Sequence, residues 1–243
     1  MAIHIDEFLE LVKKRRSIRR FKPDPIPDEY IWKILEAARW AMSGGNAQPW
    51  EFIVVKDQET KNLIGRALFE QRKVEYEIEQ TRIPELRHQG LATPPSPPNF
   101  VDAPVLIVVC GDRRTLQASV LAQNFVPGEG GTGAAFMKNM ANPTQNMQLA
   151  AAALGLGSQW ISLDRTTEEV IKHILGVPAV LEIHTIVPVG YAAIDPLPPY
   201  RRELNEIVHL ERYDRGKSRS AEDIIEYIRL LRERTGAGYR KAP

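Results

Sequence analysis

The chain of 243 residues is long enough to bury a substantial core, and 32 Lys+Arg against 31 Asp+Glu leave a formal net charge of only +1. Near-neutrality excludes a general electrostatic footprint for nucleic acid or membrane. A single cysteine, Cys110, excludes an internal disulfide framework and any multi-cysteine zinc or iron–sulfur site, and no apolar window approaches the ~20 residues of a membrane span; the expectation is a soluble, cytoplasmic protein.

Asp6 followed by Phe8, Leu9 and Val12 predicts a short amphipathic helix capped by the aspartate. It delivers the chain to Lys13-Lys14-Arg15-Arg16-Ser17-Ile18-Arg19-Arg20-Phe21, with six cations in the eight positions 13–20. A hydroxyl inside the run, an apolar Ile18 interrupting it and Phe21 closing it set it apart from a plain solvated charge run. Arg15, Ser17 and Arg19 alternate, so in extended backbone they share a face and present two guanidinium forks around a hydroxyl.

Pro23, Pro25 and Pro27 force an extended connection, after which Asp28 is expected to cap a helix whose Ile31, Ile34, Leu35 and Ala38 keep helical spacing. Ser43-Gly44-Gly45-Asn46 ends that helix in a loosened turn where backbone N–H groups can approach a ligand closely. Residues 51–55 read as a buried strand and 59–80 as a long polar helix. Pro84, Pro94, Pro95, Pro97 and Pro98 make residues 82–100 an irregular excursion, of the kind that forms a lid, a binding loop or a disordered segment.

Residues 103–110 form a continuous apolar run, the pattern of a strand buried on both faces. The glycines between 128 and 133 invite a phosphate-loop reading, but Ala134 and Ala135 stand where Lys and Ser or Thr are required, so a flexible lead into a helix is the better account. A helix apolar nearly all round is predicted over about 145–154, a strand over 158–163, a helix over 167–175 stopped by Gly176, and a strand over 183–191. Beyond Tyr200-Arg201-Arg202 the chain is charged and lacks a core of its own. Its helical stretch 221–234 carries a stripe of Ile224, Ile225, Ile228 and Leu231 that favours packing on something else.

The five histidines lie far apart without metal-ligand spacing, the serines lack a nucleophile-elbow context, and Cys110 sits inside an apolar strand. Trp50 and Trp160 are most simply core residues. With no acid, base, nucleophile or metal in view, a bound cofactor is the natural carrier of any reactivity.

Four segments, in order, resemble the FMN-dependent nitroreductase family. Residues 15–21 resemble its Arg-Arg-Ser-x-Arg opening, and Ser43-Gly-Gly-Asn46-Ala-Gln48-Pro49-Trp50 its Pro-Ser-x-x-Asn-x-Gln-Pro-Trp segment, with Met42 in place of the proline. Gln145-Asn146-Met147 through Gly157-Ser158 is similar to its central-helix signature, and Val187-Pro188-Val189-Gly190-Tyr191 with Arg201-Arg202 to its closing one.

The resemblance implies an α+β fold with a mixed, mostly antiparallel sheet flanked by helices, in an intertwined homodimer with FMN at the interface. Residues 1–202 would form the flavin-binding domain and 203–243 an extension packed on the partner subunit. Arg15, Ser17 and Arg19, with Arg16 in the same motif, would hold the FMN phosphate and ribityl chain, joined by Arg201 or Arg202. Ser43 and Asn46 would arrive from the other subunit, and the backbone of Ile161, Ser162 and Leu163 would face the isoalloxazine edge. The implied activity is ping-pong hydride transfer from NADH or NADPH through FMN N5 to a nitroaromatic, quinone or similar electron-poor acceptor. Reductive dehalogenation, dehydrogenation or flavin breakdown are alternatives on the same fold. A non-catalytic, basic nucleic-acid-binding protein is the alternative from another class, opposed by the near-neutral charge and the lack of aromatics among the cations.

Overall fold

The computed structural model describes residues 4–116, 131–196 and 198–237. Two compact units divide the chain, Met1–Ile194 and Asp195–Pro243, which places Arg201 and Arg202 in the second.

In the first unit, α1 (Ile5–Lys14) opens the chain and α2 (Asp28–Arg39) follows the proline-rich connection. Neither is capped as its sequence suggests. His4 and Pro27 occupy the N-cap positions without side-chain hydrogen bonds, while Asp6 and Asp28 lie in the first turns, where a carboxylate still favours the positive end of the helix dipole. Asp28 is drawn instead to Lys56, 2.5 Å away on the far side of β1 (Trp50–Val55).

The long helix α3 (Gln58–Gln80) begins at a true cap, since Asp57 accepts the Thr60 N–H at 2.7 Å. Residues 82–100, expected to be irregular, contain a turn of 3-10 helix at Pro84–Leu86, the single turn α4 (Gln89–Ala92) and a second 3-10 turn at Asn99–Asp102. The segment is fastened to α3: buried Glu79 accepts the His88 N–H at 2.6 Å, Arg87 Nη2 donates to Gln80 O at 2.9 Å, and Arg72 donates to the carbonyls of Gly90 and Thr93.

β2 (Val105–Asp112) is the central strand, pairing antiparallel with β1 on one side and with β4 (Leu181–Gly190) on the other. Between β2 and β4 in sequence run α5 (Gly131–Ala153), β3 (Gly157–Ser158) and α6 (Arg165–Leu175), giving the sheet order β1-β2-β4-β3. Among the described residues every strand pair is antiparallel, and a single parallel bridge joins Ser17 to Ser158.

The apolar run of β2 follows from its burial on both faces. Val105, Ile107 and Val109 meet Ile31, Ile34 and Ala38 of α2 and Phe136, Met140 and Met147 of α5 in one core. Leu106, Val108 and Cys110 face the other, with Ile64 of α3, Ile171 of α6, and Ile18 and Phe21 from the basic segment. Sheet flanked by helices on both faces is the α+β architecture expected. The run looks like that of a parallel strand, yet the strand is antiparallel; double-sided cover, not strand direction, selects the composition.

α5 is far longer than the ten residues its composition suggests. The glycine-rich lead falls partly outside the described residues, but 131–133 already belong to its first turn. The helix also runs through Pro143, whose missing N–H leaves the carbonyl four residues back without its usual partner. Phe136, Met140, Met147 and Ala151 recur on the buried face, and their packing outweighs that loss. The strand expected over 158–163 is reduced to Gly157–Ser158 and a bridge between Ile161 and Ile186. α6 behaves as read, with Asp164 capping the Thr167 N–H at 2.6 Å and Gly176 left-handed at φ 67°.

The second unit contains α7 (Leu204–Ile207), held by a capping box between Glu203 and Glu206, and α8 (Ala221–Ala237). Among the described residues no helix is long and apolar enough to cross a membrane.

Candidate cofactor site

The basic cluster is an extended edge segment locked into the fold. α1 stops at Lys14; Arg15 takes ψ 131°, and its N–H still reaches Leu11 O at 3.0 Å. From there the chain runs beside β3, with the Ile18 N–H donating to Ser158 O at 2.9 Å. It continues past the end of β4, where the Lys22 N–H donates to Tyr191 O at 2.9 Å and the Ala193 N–H to Arg20 O at 3.0 Å. Phe21 and Ile18 are buried and hold the segment to the core.

Because Ile18 points inward, the alternation of extended backbone sends Ser17 and Arg19 to the opposite side. Arg19 is exposed, and Arg15 and Ser17 are half-buried. Arg16 behaves differently: its Nη1 turns back to donate to the carbonyls of Lys13 and, at 3.0 Å, Arg15. A guanidinium there caps the negative end of α1, so Arg16 is spent on the helix terminus.

The loop after α2 is tightly wound. Gly45, Asn46 and Gln48 have φ of 61°, 51° and 45°, and Ser43 Oγ accepts the Gln48 N–H at 3.0 Å. The Asn46 side chain is exposed at its tip. Two consecutive left-handed residues turn successive peptide groups outward, an arrangement that suits close approach of a polar ligand.

At Ile161, both backbone groups are used in the sheet: its N–H donates to Ile186 O at 3.0 Å, and its carbonyl accepts the Ile186 N–H at 3.2 Å and Thr185 Oγ1 at 2.8 Å. The Ile161 N–H is therefore committed, which narrows the expected backbone contact to the exposed Ser162 and half-buried Leu163. Sequence reasoning missed His184 nearby. Its ring stands edge-on to Trp160 at 5.0 Å, and neither nitrogen has a hydrogen-bond partner among the described residues. Burial pushes its pKa down to about 4, against the opposing pull of Glu182, so the imidazole is neutral at pH 7. Only its place in the alternation of β4 signalled it. Burial likewise pushes the Cys110 thiol up to about 12, with the Glu168 charge adding to it, which makes the thiol inert.

Residues 12–191 match the model of the nitroreductase family. The chain belongs to that family. It is 32% identical over 200 residues to the NADH dehydrogenase of Thermus thermophilus, covering 80% of this chain and 91% of the relative. It is 30% identical over 202 residues to the iodotyrosine deiodinase of Thermotoga neapolitana, covering 82% and 94%. Among solved structures, the NADPH:FMN oxidoreductase of Vibrio harveyi complexed with NAD+ shares the fold at a TM-score of 0.67, with 20% identity and coverage of 96% and 92%.

The nitroreductase match takes in the basic segment, the wound loop and Tyr191, and it ends before Arg201 and Arg202. In the second unit these two arginines differ. Arg202 is half-buried, donates from Nη2 to Glu206 O at 2.8 Å and lines a groove of about 420 Å³ with Tyr200, Lys217, Arg219 and Tyr227. Arg201 is exposed, its Nη1 donating to the adjacent Tyr200 carbonyl at 2.9 Å.

Proposed function

We propose that this member of the nitroreductase family is an FMN-dependent oxidoreductase that passes reducing equivalents from NADH or NADPH to an electron-poor aromatic acceptor, working as a homodimer. The observation that carries this reading is the locked edge segment: Ile18 anchors it inward, and Ser17 and Arg19 are thereby presented together on the outer side. A dianionic phosphate suits that donor set, since charge-assisted bonds from guanidinium groups are about twice as strong as neutral ones.

Arg15, Ser17 and Arg19 hold the phosphate and ribityl chain. Ser43 and Asn46 come from the second copy, and the backbone at Ser162 and Leu163 faces the flavin edge. FMN bound there would supply a two-electron carrier between the nicotinamide donor and the acceptor. The chain's task is to bind, orient and exclude water.

Dimerisation is supported by apolar surface without cover in the single chain. Phe8, Leu9 and Val12 of α1 are 44%, 43% and 39% exposed, and Trp32, Trp40 and Met42 are exposed as well. The Ile224, Ile225 and Ile228 stripe of α8 is exposed too, in keeping with an extension over residues 203–243 that packs on the partner subunit. Residues 1–202 then form the flavin-binding part. A nucleic-acid role is disfavoured because Ile18 belongs to the core and Arg16 to the end of α1.

A second choice of acceptor has one observation in its favour, the similarity to an iodotyrosine deiodinase along 94% of that relative. Reductive dehalogenation of a halogenated aromatic uses the same reduced flavin. Purified protein should be yellow, and NADH or NADPH should bleach it anaerobically. Reoxidation by nitroaromatics, quinones or iodotyrosine then ranks the acceptors. Colourless protein that cannot be reconstituted with FMN overturns the reading.

A further inference from the structure

Three asparagines of α5 lie on one face of the helix at spacings of three and four, Asn139, Asn142 and Asn146. Each meets a different backbone group where α2 ends and the wound loop begins. Asn146 Nδ2 donates to Ala37 O at 3.0 Å, Asn142 Nδ2 donates to Met42 O at 2.9 Å, and Asn139 Oδ1 accepts the Gly44 N–H at 2.9 Å. Descending α5 from 146 to 139 therefore climbs the loop from 37 to 44.

The three contacts have distinct consequences. Ala37 belongs to the last turn of α2, whose carbonyls lack intrahelical partners, so Asn146 ends the helix at a defined place. Met42 stands where the family motif has proline, and the bond from Asn142 restrains a position that a pyrrolidine ring would otherwise stiffen. Asn139 is buried, 8% exposed, and fixes Gly44 immediately before the left-handed pair Gly45 and Asn46. Left-handed backbone at a non-glycine residue is unfavourable and persists only where its surroundings impose it. Here α5 imposes it from below, and Ser43 Oγ closes the turn on the Gln48 N–H from above.

We propose that Asn139 and Asn142 are positioning residues for the cofactor: the ladder on α5 sets the loop so that Ser43 and Asn46 face a flavin held by a second copy of the chain. This rests on the assignment of residues 43–46 as a flavin contact. Asn146 acts one step further back, by fixing where α2 stops.

The donor and acceptor roles make the inference specific. Asp in place of Asn139 keeps an acceptor for the Gly44 N–H, whereas Asp in place of Asn142 sets a carboxylate against the Met42 carbonyl. FMN affinity of the full-length protein, titrated by quenching of flavin fluorescence, should fall about five- to tenfold for Asn139→Ala, Asn142→Ala and Asn142→Asp, as expected for one lost hydrogen bond. It should stay within about twofold for Asn139→Asp. Exchange of the Gly44 amide, measured without flavin, should quicken in Asn139→Ala and not in Asn139→Asp. Ile64→Val, in the opposite core, serves as the control for general destabilisation and should leave the Gly44 exchange unchanged. Wild-type protein that binds FMN together with unchanged affinity in Asn139→Ala and Asn142→Ala overturns the inference alone. Wild-type protein that binds no FMN overturns the flavin reading and the ladder's role toward it, while Gly44 exchange still reports whether the ladder orders the loop.

Discussion

Gly157 and Ile18 interlock: a Cβ at position 157 would sit 2.4 Å from Ile18 Cγ1 and 2.7 Å from its Cβ. At position 157 the strand that receives the basic segment thus has no room for a side chain, and Ile18 fills the space. Gly157→Ala must push Ile18 outward, and overpacking of this kind costs about 1–3 kcal/mol. The melting temperature should fall by several degrees, and FMN affinity should weaken with it because Ser17 and Arg19 move with Ile18. Thermal unfolding and flavin titration of the same preparation check both.

The proline-rich excursion is expected to loosen when its buried anchor is removed. Glu79 is 3% exposed, accepts the His88 N–H and lies 3.5 Å from Arg82 Nε. Glu79→Ala leaves the His88 N–H without its partner, at a cost of about 1–3 kcal/mol. Limited trypsin digestion should then cut faster at Arg82 and Arg87. If the segment covers the substrate pocket, the KM for the acceptor should change more than the FMN affinity; equal acceptor preference in a deletion of residues 82–100 would contradict a covering role.

Stability should rise with pH across the acidic range because of His184. Its folded pKa, about 4, is below the ordinary value of 6.5, so between these limits the unfolded chain binds the extra proton. Lowering the pH from 7 through 6.5 toward 4 therefore favours unfolding, by at most about 3 kcal/mol over the window. His184→Phe keeps an aromatic ring against Trp160 and should flatten that dependence, as read from urea midpoints at several pH values.

Much of this was legible in the sequence, and the exceptions share a cause. β2 and β4 are readable as strands from their apolar residues, and α6 from its amphipathic spacing and the stop at Gly176; its cap at Asp164 was not read. The basic segment is readable because Ile18 and Phe21 break the charge pattern at the two places where it enters the core. What escaped are relations between distant segments. Asp28 looks like a cap until Lys56 is seen beside it, Pro143 looks like a break until Phe136, Met140 and Met147 are seen in one core, and nothing local announces that three asparagines of α5 hold the loop before Trp50. His184 escaped for the same reason, its significance lying in Trp160 and in the polar partners it lacks among the described residues.

The apolar face of α1 predicts the response of the assembly. Phe8→Glu places a charge on a face that buries no residue within its own chain, so the fold should survive. On the proposed dimeric site, sedimentation should show a shift from dimer toward monomer, and flavin should be lost in parallel if Ser43 and Asn46 come from the other copy as proposed. A variant that stays dimeric and yellow would place the interface elsewhere.

The most direct test is FMN affinity in the double variant Arg15→Ala, Arg19→Ala. Each lost charge-assisted bond is worth about 1.5–3 kcal/mol, so the dissociation constant should rise by at least about a hundredfold. The melting temperature of the flavin-free protein should change by no more than about 2 °C, because Ile18 and Phe21 still anchor the segment. Flavin occupancy equal to that of the unaltered protein would contradict the account and return the cluster to a solvated surface.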